Sequence, residues 1–399
     1  MVTLEMIKKA EENLKGVARR TPLIESTYIN NKADVYVKCE NLQVTGAFKL
    51  RGAYTKISSL TEEERKRGIV AASSGNHAQG ASLAAKMLGI PATICMPDSA
   101  PLSKVQGTRN NGAEVVLVPG VFDDAQVKAM ELVKERGCTF IPPFNDELII
   151  TGQGTIGLEI LEDVPDMDVV LVPIGGGGIC AGVATAVKLI NPNCKVYGVE
   201  PANAACMKAS LEAGHIVTLD SVNTMADGTA VKAPGDLTFA AIQKYVDGIV
   251  TITEEEITAA MLLMMEKHKM IAEGSGALAV AAAMFNKVDL EGKKVACVVS
   301  GGNADITTLS RIVNKALQQA GRLVSFSVTL ADKPGQLLKL MKVLSDADAN
   351  IFSVDHDRMT GDVNVSKCVV DVVVEARDME HREAILKALV DNGMPYTLK

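Results

Sequence analysis

From about residue 68 onward the chain repeats one unit: a short apolar run, a turn, then a stretch of helical length. The runs 68–72, 91–96, 114–118, 168–173, 195–199 and 294–299 are apolar at nearly every position. Strands of a parallel sheet covered on both faces read this way, whereas half-exposed strands alternate. Strands that alternate with helices predict a doubly wound α/β fold. Ligands in such folds bind outside the carboxyl ends of the strands. The conspicuous turns fall at those ends: Ser73-Ser74-Gly75-Asn76, Gly175-Gly176-Gly177-Gly178 and Ser300-Gly301-Gly302-Asn303.

The pattern changes near Gly321. Residues 323–330 alternate polar and apolar, as a strand with one wet face does. Asp332-Lys333-Pro334-Gly335 has turn chemistry, and 336–348 is an amphipathic helix. Residues 351–358 and 363–374 read as two strands joined by a turn at Thr360-Gly361-Asp362, followed by a helix over 379–392 and a short strand. Strand, helix, strand, strand, helix, strand is a ferredoxin-like order. The 399 residues therefore divide into an α/β domain over 1–320, with a smaller subdomain at about 46–140, and a second domain over 323–399, joined by the polar stretch 314–322.

Composition narrows the function classes. A formal net charge of −7 disfavours nucleic acid or an anionic membrane as the main partner. No run approaches the ~18 uninterrupted apolar residues of a membrane span, and the first residues lack the basic-then-apolar order of a signal peptide. The eight cysteines include no pair at C-x-x-C spacing, so they read as reduced, buried thiols of a cytoplasmic protein, not as a disulfide or zinc framework. No residues are assigned to a metal.

Chemistry concentrates at a few positions. Lys49 lies among Ala47, Phe48 and Leu50, and an apolar flank argues for burial, which lowers an amine's pKa toward useful basicity. Gly175, Gly176, Gly177 and Gly178 follow a predicted strand and precede a predicted helix over 179–190. Consecutive glycines let backbone N–H groups close around an anion at a helix N-terminus. A flexible turn is the alternative, but four glycines lose much chain entropy on ordering. The run is neither a P-loop nor G-x-G-x-x-G, so ATP and NAD are not implied. A lysine plus a phosphate cup points to pyridoxal 5'-phosphate (PLP), whose aldehyde an amine captures. Ser300 ends another strand, where a neutral hydroxyl facing the pyridine nitrogen suits β-elimination over transamination. Ser73 to His77 offers hydroxyls, amides and an amide side chain at a helix start, suited to a carboxylate and a ring oxygen. His77 reads as structural.

These residues resemble a known family. Glu40-x-x-Gln43-x-Thr45-Gly46-Ala47-Phe48-Lys49-x-Arg51-Gly52-Ala53, with Ser73-Ser74-Gly75-Asn76-His77, the tetraglycine, Asp227-Gly228, Glu273-Gly274-Ser275-Gly276-Ala277 and Ser300-Gly301-Gly302-Asn303, is similar to the serine/threonine dehydratases. These are PLP enzymes of fold type II, the tryptophan-synthase-β fold, and the resemblance spans about 5–320. The tail, with Asp332-x-Pro334-Gly335 and Asp355-His356-x-Arg358, resembles ACT regulatory domains, as in threonine dehydratases of medium length.

The resemblance implies roles. Lys49 binds the cofactor aldehyde and then takes the substrate's Cα proton; Phe48 packs on the pyridine ring; Asn76 bonds the ring 3-oxygen. Gly175, Gly176, Gly177, Gly178 and the Ile179 amide hold the phosphate, Ser300 meets the pyridine nitrogen, and Ser74 faces Lys49 across the substrate. It further implies threonine as substrate and serine as a second one, an amino-acid effector at the tail near Asp332, Pro334, Gly335 and Asn350, and a homodimer or homotetramer. Two positions depart from the pattern: Ala47 replaces a common serine, and Cys206 stands where serine racemases place an acidic cation ligand two residues beyond the alanine matching Ala204, with Glu200 upstream. Serine racemase or serine dehydratase remains the alternative enzyme, and a non-catalytic amino-acid sensor the alternative class.

Overall fold

The computed structural model describes residues 1–358 and 364–399, so the turn expected at Thr360-Gly361-Asp362 and the strand start at Val363 lie outside the described residues. The chain forms two compact units, Met1–Asp305 and Ile306–Lys399.

In chain order the first unit contributes β1 (Leu23–Ser26), β2 (Asp34–Cys39), β3 (Ile69–Ala72), β4 (Ala92–Pro97), β5 (Glu114–Val118), β6 (Thr139–Phe140), β7 (Val169–Pro173), β8 (Lys195–Pro201), β9 (Gly248–Ile252) and β10 (Lys294–Val299). The larger sheet has the order β1-β2-β10-β7-β8-β9, parallel throughout except for β1 against β2. After β2 the chain leaves this sheet, builds a parallel one in the order β5-β4-β3-β6, and returns at β7. The doubly wound reading holds, and most of the runs that read as doubly apolar are buried strands; β5 is the exception, an edge strand with no buried residue.

The sequence reading leaves β1, β2, β6 and β9 unassigned. β2 carries Lys38 next to its carboxyl end, and the burial of that lysine depends on partners distant in sequence: Nζ meets Glu159 at 2.5 Å and the Thr21 carbonyl at 2.7 Å. β6 is only two residues long and has no period to read.

Two helices hold the frame that carries the glycine run. Glu147–Asp163 starts at Asp146, whose carboxylate accepts the Leu148 and Ile149 N–H groups. It packs on Gly178–Ile190 at close range: a methyl group on Gly182 would lie 2.4 Å from the Ile150 carbonyl, and one on Gly157 2.8 Å from that of Val183. Small residues permit this approach, and the apolar core beneath includes Phe48, Val170, Val172, Ile179 and Val298. Asn76–Leu88 is closed by Gly89 in the left-handed conformation that glycine tolerates.

The second unit opens with the helix Ile306–Gln319 and continues through β11 (Leu323–Ala331), the helix Gln336–Asp346, β12 (Asn350–Asp357), β13 (Lys367–Glu375), the helix Met379–Asp391 and β14 (Tyr396–Leu398). Its antiparallel sheet has the order β12-β13-β11-β14, which is the ferredoxin-like arrangement of this element order. It has its own core, including Phe326, Leu340, Val370, Val372 and Ile385. All eight cysteines are buried and unpaired. Among the described residues no helix is long and apolar enough to cross a membrane.

Candidate active site

Lys49 is the first residue of the helix Lys49–Ser58, at the point where the chain drops off the ends of the strands. Its Nζ donates to the Pro143 carbonyl at 2.7 Å and lies 5.2 Å from the Phe48 ring centre. Burial lowers this amine to about 8, against the opposing charge of Glu273. The next residue after Pro143 completes a link: Phe144 lies against the glycine run, where a methyl group on Gly176 would sit 2.3 Å from the ring and one on Gly178 2.9 Å from its Cβ. Gly175 is closed off by Thr229 and Gly177, at φ +96°, by Met207 and Thr238. The Thr238 hydroxyl donates to the Gly176 carbonyl at 2.7 Å. These glycines are therefore packed into place and not a slack turn. They end at the helix Gly178–Ile190, whose first N–H groups supply an anion site.

The loop before Lys49 is zipped to the end of β10. Phe48 N–H donates to the Ser300 carbonyl at 3.1 Å, Gly302 N–H to the Gly46 carbonyl at 2.9 Å, and Ala47 bridges Gly301. Ser300 is buried. The same loop reaches the start of the helix Asn76–Leu88, because Asn303 Nδ2 donates to Asn76 Oδ1 at 2.8 Å. Ser73 fixes that turn: its N–H donates to the Cys95 carbonyl at 3.1 Å and its hydroxyl accepts the Gly75 N–H at 3.2 Å. Ser74 is half-buried on this turn. His77 is buried, its Nε2 lies 2.8 Å from the Ile141 carbonyl, and burial together with the nearby Lys49 lowers it to about 3. A neutral imidazole that donates from Nε2 is a scaffold, in keeping with its sequence reading.

The residues expected to surround a cofactor, Lys49, Phe48, Asn76, Gly175, Gly176, Gly177, Gly178, Ile179 and Ser300, thus lie at the carboxyl ends of β3, β7 and β10 and the helix starts beside them, joined by direct contacts of the intervening loops. An amine of lowered pKa, a close-packed glycine cup at a helix start and a buried hydroxyl match the demands of PLP, whose aldehyde, phosphate and ring nitrogen need those three groups.

Three residues matter here that sequence reasoning gave no role. Glu273 accepts from Asn76 Nδ2 at 2.6 Å, and its own N–H donates to the Gly301 carbonyl at 3.0 Å. Burial pushes this carboxyl up, while Lys104, Asn76 and Lys49 work against the rise. Lys104 directs its Nζ to within 3.7 Å of where a methyl group on Gly75 would be. Arg51, two residues beyond Lys49 in the same helix, forms a buried ion cluster: its guanidinium meets Glu40 at 2.8 and 2.9 Å and Glu159 at 2.6 and 2.9 Å. Burial would raise Glu40, but Arg51 outweighs it and the carboxyl stays low. The signal for Glu273 was the glycine pair after it, since Gly276 fits directly against the Gly301 carbonyl.

At Glu200 both carboxylate oxygens accept helix amides, from Met207 and Lys208 at 2.9 Å each, and burial raises the carboxyl to about 7. Cys206 points its thiol at the Gly175 carbonyl, 3.9 Å away. A group of mixed donors, Asp332, His356 and Cys368, lies in the second unit, but Asp332 already pairs with the Arg358 guanidinium at 3.2 Å, a positive charge that a metal ion would have to displace.

Known proteins give the same reading. The chain matches the pyridoxal-phosphate dependent enzyme family over residues 14–301. It is 49% identical over 395 residues to an L-threonine ammonia-lyase of Thermotoga maritima, covering 98% of both chains. It is 45% identical over 315 residues to the catabolic L-threonine dehydratase TdcB of Escherichia coli, covering 78% of this chain and 96% of that one. Among solved structures, a threonine deaminase isoform from Solanum lycopersicum superposes with TM-score 0.74 at 40% identity, covering 78% of this chain and 93% of that one. A maize serine racemase superposes with TM-score 0.75 at 38% identity, covering 80% and 98%. With the glycine cup, the buried amine and the fold in agreement, the chain belongs to the family of pyridoxal-phosphate dependent enzymes.

Proposed function

We propose that the chain is an L-threonine ammonia-lyase, converting L-threonine to 2-oxobutanoate and ammonia and L-serine to pyruvate and ammonia. The observation that carries this reading is the end-to-end likeness to an L-threonine ammonia-lyase, which takes in the C-terminal unit as well as the amine site. When bound, PLP withdraws electrons from the amino acid's Cα and so acidifies the proton there. Lys49, an amine at about 8, is half neutral near that pH and is suited to accept this proton. Ser74 lies on the turn beside Asn76, where a hydroxyl can give a proton to the departing β-hydroxyl and the helix-start amides can hold the carboxylate. Phe48 and Ser300 are themselves buried beside Lys49, as groups that pack against a cofactor ring would be. The water lost in elimination is returned when the released enamine hydrolyses, so the overall change is threonine to 2-oxobutanoate plus ammonia.

The second unit is read as an ACT-like regulatory domain for an amino-acid effector. Its ferredoxin-like sheet supports this, as does the loop Asp332-Lys333-Pro334-Gly335, with Gly335 at φ +87° opening the helix Gln336–Asp346. β12 is an edge strand that exposes Ile351, Phe352 and Val354, a surface suited to pairing with another copy in a homodimer or homotetramer. Control by isoleucine or valine would place the enzyme in isoleucine biosynthesis; indifference to both would leave this unit to assembly or to another effector, with threonine catabolism as the alternative role, in either case in the cytoplasm. Such control requires the effector to bind two states of the oligomer unequally.

The test is 2-oxo acid release from L-threonine and L-serine by wild type and Lys49→Ala, with and without isoleucine and valine. Turnover by wild type, lost in Lys49→Ala, is expected. No turnover of either substrate by the PLP-loaded wild type sinks the lyase reading and moves a sensor or racemase ahead. The likeness to a serine racemase favours one second reading, and chiral analysis of serine after incubation decides it: accumulation of the D form makes the chain a racemase.

A further inference from the structure

Asn76 is gripped at both ends of its side-chain amide by protein groups. An asparagine's oxygen and nitrogen are nearly alike in shape, so its orientation needs a neighbour whose role is fixed. The Thr45 carbonyl is such a neighbour, because it can only accept. Asn303 Nδ2 lies 2.7 Å from the Thr45 oxygen and 2.8 Å from Asn76 Oδ1. The nitrogen of Asn303 must therefore face Thr45, both of its hydrogens are used, and Asn76 must turn its oxygen toward Asn303. That leaves Asn76 Nδ2 on the far side, where it donates to Glu273 Oε1 at 2.6 Å. One of its two hydrogens is taken and one remains. The Glu273 main chain is fixed by its N–H bond to the Gly301 carbonyl at 3.0 Å, just before the helix Gly274–Met284. Gly46 is part of the same device: at φ +71° it takes a shape suited to glycine, and a methyl group there would lie 2.3 Å from Asn303 Oδ1.

We propose that Asn303 and Glu273 are positioning residues that lock the Asn76 amide with one N–H donor presented to the cofactor, so that the ring 3-oxygen is received as a hydrogen-bond acceptor and its anionic form is favoured. This rests on the reading of Lys49 and Asn76 as the PLP site. The chain of bonds starts at a backbone carbonyl and has only one consistent direction. Glu273 and Asn303 touch no reacting atom in this scheme; they act through Asn76. A carboxylate is the strongest acceptor available for the second bond. Lys104 and Lys49 face Glu273 as positive charges and Asp227 as a negative one. Loss of Asn303 frees the Asn76 amide to flip, which would offer the ring oxygen an acceptor and favour its protonated form.

The test is a pH titration of the cofactor's absorption in purified holoenzyme, which reads the ring oxygen's protonation without turnover. Asn303→Ala is expected to move intensity from the visible to the near-ultraviolet band and raise the apparent pKa between them by about one unit, about tenfold in band ratio. Glu273→Ala is expected to shift the titration in the same direction, and Glu273→Gln, which keeps an accepting oxygen, to stay near wild type. In an Asn76→Ala background, Asn303→Ala should add nothing, whereas a merely structural role for Asn303 would still show. If Asn76→Ala shifts the bands while Asn303→Ala and Glu273→Ala leave them unchanged, the locking role is overturned. An unchanged titration in Asn76→Ala would instead overturn the assignment of Asn76 to the ring oxygen, and the proposal with it. Should Asn303→Ala fail to fold, the Glu273→Ala and Glu273→Gln pair decides: a shift in the first alone supports the lock, and equal spectra in the two would refute it.

Discussion

A lysine at the start of a helix is ordinary; Lys49 differs because its neighbours strip water from it. With its amine at about 8, apoprotein mixed with PLP should react at a rate that rises with pH through about 8 and levels off above, since only the neutral amine attacks an aldehyde. Stopped-flow absorbance against pH checks this, and a midpoint near the ordinary lysine value would show the amine is not desolvated. Arg51 holds two buried carboxylates, Glu40 and Glu159, and is itself 1% exposed. Removing one partner of a buried ion cluster leaves charges without compensation, so Arg51→Met should cost about 3–5 kcal/mol, read as a lower denaturation midpoint. Arg51→Lys keeps the charge but loses the forked geometry and should fall between the two.

At the scale of elements, the site depends on where helices start. The glycine run lies at one N-terminus and Asn76 at another, and each loop is packed so that a side chain has no room or a fixed direction. Gly176→Ala should drive a methyl group into the Phe144 ring and weaken PLP binding by at least about tenfold, a loss of ~1.4 kcal/mol, in a cofactor titration monitored by absorbance. Gly107 makes a contrast within the helix Leu102–Asn110, because a methyl group there meets only Gln79, at 3.8 Å. Gly107→Ala should stabilise the protein by about 0.5–1 kcal/mol, since alanine is the better helix former.

Over the whole molecule, buried titratable groups tie stability to pH. His77 is lowered to about 3 from the ordinary histidine value of 6.5, so between those values the unfolded chain takes a proton that the folded one refuses. Its contribution to stability is complete above about 6.5 and is lost as pH falls toward 3, by ~1.4 kcal/mol per pH unit. Urea midpoints measured at about pH 5 and pH 7 should therefore differ more for wild type than for His77→Gln, and equal differences would mean His77 titrates normally in the fold.

The sequence alone carries the parallel α/β class, because strands buried on both faces are apolar along their length, as residues 169–173 and 295–299 are. It also determined the cofactor, because a run of four glycines between a strand and a helix, paired with a lysine in an apolar stretch, has few other chemical uses. It could not reveal β2 as an interior strand, since Lys38 looks solvent-bound until Glu159, more than a hundred residues away, neutralises it. Nor could it assign Glu273 and Asn303. A polar side chain's role depends on which donor or acceptor faces it, and here the partners come from four separate stretches of chain, around Thr45, Asn76, Glu273 and Gly301. Patterning is a local property and is written in neighbouring residues. The direction of a hydrogen bond between distant residues is decided only when the tertiary structure brings them together.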